Sequence, residues 1–193
     1  MSERRRTFVA VRFSSEVVSE LARLEDGLKD SIGSRARIKW VEPHNIHLTL
    51  QFLGDVEQAL FPKLSGGLSG AYGDVDPFEV TLAGTGSFPS PRKPRVVWAG
   101  IQTGAHELKR LLACTLTVTE PFGFKRENRP FRAHVTLGRV KDPRKSSDIS
   151  TQLEKMGAVE LGKCQIDSVH LVTSELKPSG PIYTTLDSFT LGR

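Results

Sequence analysis

Cysteine is scarce in this chain: Cys114 and Cys164 are the two thiols among 193 residues, with no Cys-x-x-Cys and no metal-ligand spacing. That favours a reducing compartment or simple burial over a disulfide scaffold and offers no zinc module. The expected location is cytoplasmic, and no cofactor is expected. No apolar run is long enough to cross a bilayer, so no membrane partner is expected. The basic opening residues turn at once into Phe8-Val9-Ala10-Val11, too short and too strand-like for a secretory signal. No complete Gly-x-x-x-x-Gly-Lys-Ser/Thr run is present, since Gly157–Lys163 is followed by Cys164, which argues against ligation driven by a nucleoside triphosphate. Compositional bias is also missing: 38% hydrophobic residues describe an ordinary globular chain with enough apolar material for a core.

Charge is present in modest excess. Lys and Arg number 27 against 22 Asp and Glu, for a formal +5. Such a balance serves solubility as well as it serves an anionic ligand. Its distribution says more, because basic clusters fall at residues 2–6, 86–95 and 122–132, the last two in expected loops.

The apolar pattern alternates between periods of two and of three to four. Residues 7–13 read as a strand, and Ser14 or Ser15 caps a helix carrying Val18, Leu21, Leu24, Leu28 and Ile32, stopped by Gly33. Strands follow at 36–41 and 46–53, a helix at 58–71, and a strand at 78–82. A Pro- and Gly-rich loop is expected over 84–94, then a strand at 95–101 and a helix around Leu108, Leu111, Leu112 and Leu116. After an aperiodic stretch at 120–132 comes a strand at 133–140. A helix capped by Ser147 or Asp148, with Ile149, Leu153 and Met156 on its inner face, and strands at 165–174 and 183–191 complete the chain. Several successive strands have no helix between them, which disfavours a purely parallel sheet. The expected fold is α+β: two pseudo-symmetric lobes, each a small largely antiparallel sheet with helices on its outer face, flanking a central cleft. Residues 1–193 are read as one domain.

One short string occurs twice. His47-Leu48-Thr49-Leu50 is matched 87 residues later by His134-Val135-Thr136-Leu137. Side chains alternate along a strand, so His47 and Thr49 share one face while Leu48, Leu50 and Phe52 take the other; His134 and Thr136 likewise oppose Val135 and Leu137. Each copy is a rigid imidazole–hydroxyl pair backed by apolar side chains. Imidazole titrates near neutrality, so two pairs facing one another could supply one proton donor and one proton acceptor.

The paired strings resemble the His-x-Thr-x signatures of the two-histidine phosphoesterases. The longer strings, Trp40-Val41 through Ile46-His47-Leu48-Thr49-Leu50-Gln51-Phe52-Leu53-Gly54-Asp55-Val56, and Arg129-Pro130-Phe131 ahead of His134-Val135-Thr136-Leu137-Gly138-Arg139, are similar to the RNA 2′,3′-cyclic phosphodiesterase branch, also called the 2′-5′ RNA ligase branch. Ala133 and Gly138 depart from it, standing where proline and alanine are usual. The resemblance implies metal-independent hydrolysis of a terminal 2′,3′-cyclic phosphate to a 2′-phosphomonoester, with reverse-type joining through a 2′-5′ bond. It implies His47 as proton donor to the leaving 3′-oxygen and His134 as proton acceptor from water, roles that exchange when the reaction runs backwards. Thr49 and Thr136 would donate to the non-bridging phosphate oxygens.

Substrate contacts are expected from the basic, aromatic segment before the second motif: Arg129 and Arg132, with Phe131 to stack a base. Arg139 is a further candidate, although strict alternation turns it away from His134 unless the strand ends or bulges there. The expected partners are RNA ends or small cyclic nucleotides, with no obligate protein partner. The competing reading is a non-catalytic RNA-binding module of the same fold. It leaves unexplained why binding alone should need two proton carriers.

Overall fold

The computed structural model describes residues 3–157, 159–178 and 180–192. Thirteen principal elements run in the order β1 (Arg4–Val11), α1 (Ser15–Ile32), β2 (Ile38–Trp40), β3 (Leu48–Glu57), α2 (Phe61–Gly73), β4 (Phe78–Ser90), β5 (Lys93–Thr103), α3 (Ala105–Thr119), β6 (His134–Val140), α4 (Ser150–Lys155), β7 (Glu160–Ile166), β8 (Ser168–Lys177) and β9 (Gly180–Thr190). The strands form a four-stranded sheet, β3-β1-β8-β9, and a five-stranded sheet, β2-β6-β5-β4-β7. Every pairing is antiparallel.

The lobes are not successive halves of the chain. The smaller sheet joins β1 and β3 to the C-terminal β8 and β9, while β2 leaves its sequence neighbours to edge the larger one. The helices cross over too: α1 follows β1 yet packs on β7 and α4, whereas α3 follows β5 and packs on β3 and α2. Helices therefore cover the outer faces, and the inner faces look onto the cleft.

α1 shows how local sequence feeds this packing. The Ser14 hydroxyl accepts the Val17 N–H, and Val17, Leu21, Leu24, Leu28 and Ile32 form the buried stripe. Burying each of the larger side chains contributes roughly 1.5–3 kcal/mol before entropy is counted. Gly33, at φ 51°, ends the helix in a backbone conformation that side chains resist. Apolar side chains of both sheets and all four helices join one buried cluster. A second, small cluster of Phe8, Ala10 and Val172 with Tyr183 lies on the other face of the β1-containing sheet.

Three expectations are corrected. The stretch 84–94 is mostly strand: β4 runs to Ser90 and β5 starts at Lys93, a hairpin turned by Pro91-Arg92. Gly86, which reads as a breaker, is needed inside it, because a Cβ there would lie 2.2 Å from the Trp98 ring. The expected strand at 165–174 is two strands, β7 and β8, separated by Asp167 alone. The α4 N-cap is Ile149, with no side-chain cap bond, rather than Ser147 or Asp148; the helix is short, and Asp148 Oδ1 accepts the Ser150 N–H at 2.8 Å from just outside it. Among the described residues no helix is long and apolar enough to cross a membrane.

Candidate active site

The two histidines are set by the same local device. In the first motif a 3-10 turn, Pro43–Asn45, delivers the chain into β3, and the buried Asn45 side chain donates to the Pro181 carbonyl at 3.2 Å, tying that turn to the start of β9. His47 Nδ1–H donates to the Asn45 carbonyl at 2.7 Å. His134 Nδ1–H donates to the Arg132 carbonyl, also at 2.7 Å. A carbonyl can only accept, so both Nδ1 atoms carry the proton and both Nε2 atoms are left to titrate. His47 Nε2 lies 3.1 Å from Thr49 Oγ1, within hydrogen-bond reach of that hydroxyl.

Each motif strand then carries a register shift at the same point. In β3 the pairing with β1 steps from Thr49↔Ala10 to Gln51↔Val9, leaving Leu50 without an opposite residue. In β6 the pairing with β5 steps from Thr136↔Trp98 to Gly138↔Val97, leaving Leu137 over. An extra residue reverses the alternation beyond it. Leu50 and Gln51 are both buried, as are Leu137 and Gly138. The residue after each pair emerges on the histidine face.

That geometry overturns one expectation and meets the condition set on another. Phe52, expected to pack behind β3, is 46% exposed and its ring lies 5.9 Å from that of Phe8. Arg139 is exposed on the face of His134 and Thr136, because the bulge required for that orientation is present. Its guanidinium acts on His47, His134 and Tyr183 together. The remaining substrate-contact candidates sit differently. Arg129 and Arg132 are exposed on the irregular segment before β6, Arg132 giving its carbonyl to His134, and Phe131 is half-buried against the main core.

The imidazoles occupy aromatic surroundings. His47 stacks on Phe8 with ring centroids 4.9 Å apart and meets the edge of Tyr183 at 5.3 Å. His134 is met edge-on by Phe88 at 5.0 Å, and Phe88 in turn leans on Trp98. Burial pushes the pKa of His47 down, opposed by the Asn45 carbonyl and reinforced by Arg12 and Arg139. Burial likewise lowers His134; the Arg132 carbonyl opposes this, Arg139 adds to it, and Glu127 opposes it weakly. Both rings are therefore poised neutral, and an anion between them would draw a proton back onto one.

Sequence reasoning passed over Phe8, Phe52 and Tyr183. Phe8 is recoverable from alternation with the small Ala10 in β1, but Phe52 needs the bulge and Tyr183 the sheet order. Of the other histidines, His170 donates or accepts at 2.9 Å to Ser188 as a strand neighbour, and His106 lies beside Glu107 on the surface. Among the described residues no three His, Cys, Asp or Glu side chains form a metal-holding group.

Comparison with known proteins agrees with this arrangement. The family profile described as LigT like Phosphoesterase matches residues 11–98 and 101–183. The RNA 2′,3′-cyclic phosphodiesterase of Methanothermobacter thermautotrophicus is 35% identical over 188 residues, covering 96% of this chain and 98% of its own. A crystal structure of a Thermus thermophilus protein superposes with a TM-score of 0.77 at 30% identity, covering 97% of this chain and 98% of that one. E. coli LigT in its apo form gives 0.78 at 25% identity over the whole of both chains, and that protein has also been solved with 3′-AMP and with phosphate.

Proposed function

Because the chain belongs to the LigT-like phosphoesterase family, we propose that it hydrolyses the 2′,3′-cyclic phosphate of RNA ends or small cyclic nucleotides to a 2′-phosphomonoester. The observation that carries this reading is the repeated clamp on Nδ1, which leaves one titrating Nε2 in each half of the site with a shared cation, Arg139, nearby.

A cyclic phosphodiester is opened by water attacking phosphorus in line with the departing sugar oxygen. The water must lose a proton and the sugar oxygen must gain one. Nε2 of His134 takes the proton from water as the new P–O bond forms. Nε2–H of His47 gives its proton to O3′ as the P–O3′ bond breaks, leaving the phosphate on O2′ and a 3′-hydroxyl. The surroundings favour that division of labour: His47 is walled by Phe8 and Tyr183, as a group facing a sugar should be, while the His134 side is the more exposed. Thr49 and Thr136 present hydroxyls to the non-bridging oxygens, and Arg139 offsets the charge gathering on them. A 5′-hydroxyl in place of water would give a 2′-5′ bond by the same route.

These roles need no metal. A cytoplasmic location belongs to the same reading, supported by Cys114 and Cys164 both being free thiols. The test is incubation with an oligonucleotide ending in 2′,3′-cyclic phosphate, in chelator, followed by identification of the product. A 2′-phosphate end is expected. No turnover by folded protein would favour the binding-module reading, and a 3′-phosphate end would contradict the proposed direction of opening.

A further inference from the structure

The substrate of this chain is longer than the nucleotide being opened: we propose that Arg12, in the recess beside His47, binds the phosphodiester one nucleotide upstream of the cyclic end. This rests on the phosphodiesterase reading above and extends it from the reacting phosphate to its neighbour.

The recess is bordered by Phe8, Arg12, His44, Asn45, His47 and Tyr183. It opens next to the histidine assigned to the leaving sugar oxygen, so the chain attached to that sugar has to leave across this side of the cleft. Arg12 follows β1 with the parity of Phe8 and Ala10, which puts it on the cleft face. One of its terminal nitrogens donates to Thr185 Oγ1 at 2.8 Å, so β9 holds the guanidinium in place. Among the described residues it forms no salt bridge, unlike Arg4, Arg5, Arg23 and Arg126, each paired with a glutamate. The same cation is within electrostatic range of both His47 and His170.

A tethered guanidinium with no carboxylate partner and its remaining N–H groups free is suited to a phosphate, which it can meet with two parallel hydrogen bonds. Tyr183, half-buried beside Arg12, gives the rim of the recess an aromatic ring against which the intervening nucleoside can lie, while Phe8 is buried beneath His47 and supports the recess from below. A nucleoside 2′,3′-cyclic phosphate lacks the upstream phosphate and would leave Arg12 unused. The subsite therefore confers preference for oligonucleotide ends over mononucleotides.

The test compares kcat/KM for three substrates: a nucleoside 2′,3′-cyclic phosphate, the dinucleotide ending in the same group, and that dinucleotide with an uncharged methylphosphonate linkage. The wild-type protein is expected to prefer the charged dinucleotide by roughly tenfold over the other two, the worth of one charge-assisted contact. Arg12→Ala should bring the dinucleotide-to-mononucleotide ratio close to one, and Arg12→Lys should keep part of the preference. Any effect of Arg12 transmitted through His47 falls on all substrates alike, so the ratio isolates the phosphate contact. A wild-type ratio near one, or a ratio unaltered in Arg12→Ala, would overturn the proposal. Should none of the substrates be hydrolysed, the phosphodiesterase reading fails by itself. Equilibrium binding of a dinucleotide bearing a 2′-phosphate then decides on the subsite, weakening roughly tenfold in Arg12→Ala supporting it and unchanged binding overturning it.

Discussion

Phe52 and Arg139 occupy equivalent places, each five residues beyond its motif histidine and each carried onto the histidine face by one unpaired residue in its strand. The duplicated motif is thus symmetric in its proton carriers and asymmetric beyond them, with an aromatic ring on one side and a cation on the other. Removing the cation separates its two effects. Arg139→Gln is expected to lower kcat/KM by roughly 10–10² and to move its pH optimum upward, because both imidazoles lose a charge that holds them neutral. Loss of rate with an unmoved optimum would contradict the shared electrostatic role.

The wild-type pH profile is set by the same shifts. The proposed mechanism needs one imidazole protonated and the other neutral, and both are held below the ordinary value of 6.5. The kcat/KM profile of the free protein should therefore peak on the acid side of 6.5. Bound substrate is an anion and stabilises the protonated ring, so the kcat profile should lie at higher pH than that of kcat/KM. Coincident profiles would speak against a phosphate seated between the rings.

Stability has a linked dependence. His47, His134 and His170 all have folded-state values lowered mainly by burial, whereas the unfolded chain takes up these protons at about 6.5. Their contribution is full above that pH and is lost as the pH falls through the folded-state values. Melting temperatures measured from about pH 7.5 down to about pH 5 should fall, and His170→Gln should flatten part of that decline.

Much of the site is legible in the sequence, and the parts that are not have local causes. The His-x-Thr pairs and their apolar backing come from period-two reading. The first bulge does not, because Leu50-Gln51 contains nothing that marks an inserted residue and only the opposing strand reveals it, whereas Gly138, a lone glycine within a strand, hints at the second. The 84–94 hairpin is hidden because its glycine answers to Trp98, distant in sequence and adjacent in space. The interleaving of the sheets depends on long-range pairing that no local pattern carries.

Gly138 tests that tertiary logic. A Cβ there would lie 2.5 Å from Ile38 Cγ2 and 3.0 Å from Trp40 Cε3. Gly138→Ala is expected to destabilise the fold by about 1–3 kcal/mol in denaturant unfolding, and Ile38→Ala should relieve part of that cost in the double variant. An additive pair would show that the contact is not what excludes a side chain.

Gln51, the buried partner in the first bulge, accepts from Thr119 Oγ1 at 2.8 Å and donates to the Phe124 carbonyl at 3.3 Å. It fastens the first motif strand to the end of α3 and to the segment that leads to the second motif. Gln51→Leu leaves two polar groups without partners, at a cost of roughly 1–3 kcal/mol each. Equilibrium unfolding should register that loss; a neutral substitution would remove Gln51 from the framework of the site.

The central claim is that His47 and His134, from separate sheets, close on one phosphate. It is tested most directly by following both imidazoles by NMR while titrating pH with and without a nucleoside 2′-phosphate. Both pKa values should rise together on binding, and His47→Ala should leave His134 with a smaller rise. A response confined to one ring, or to neither at saturating ligand, would contradict it.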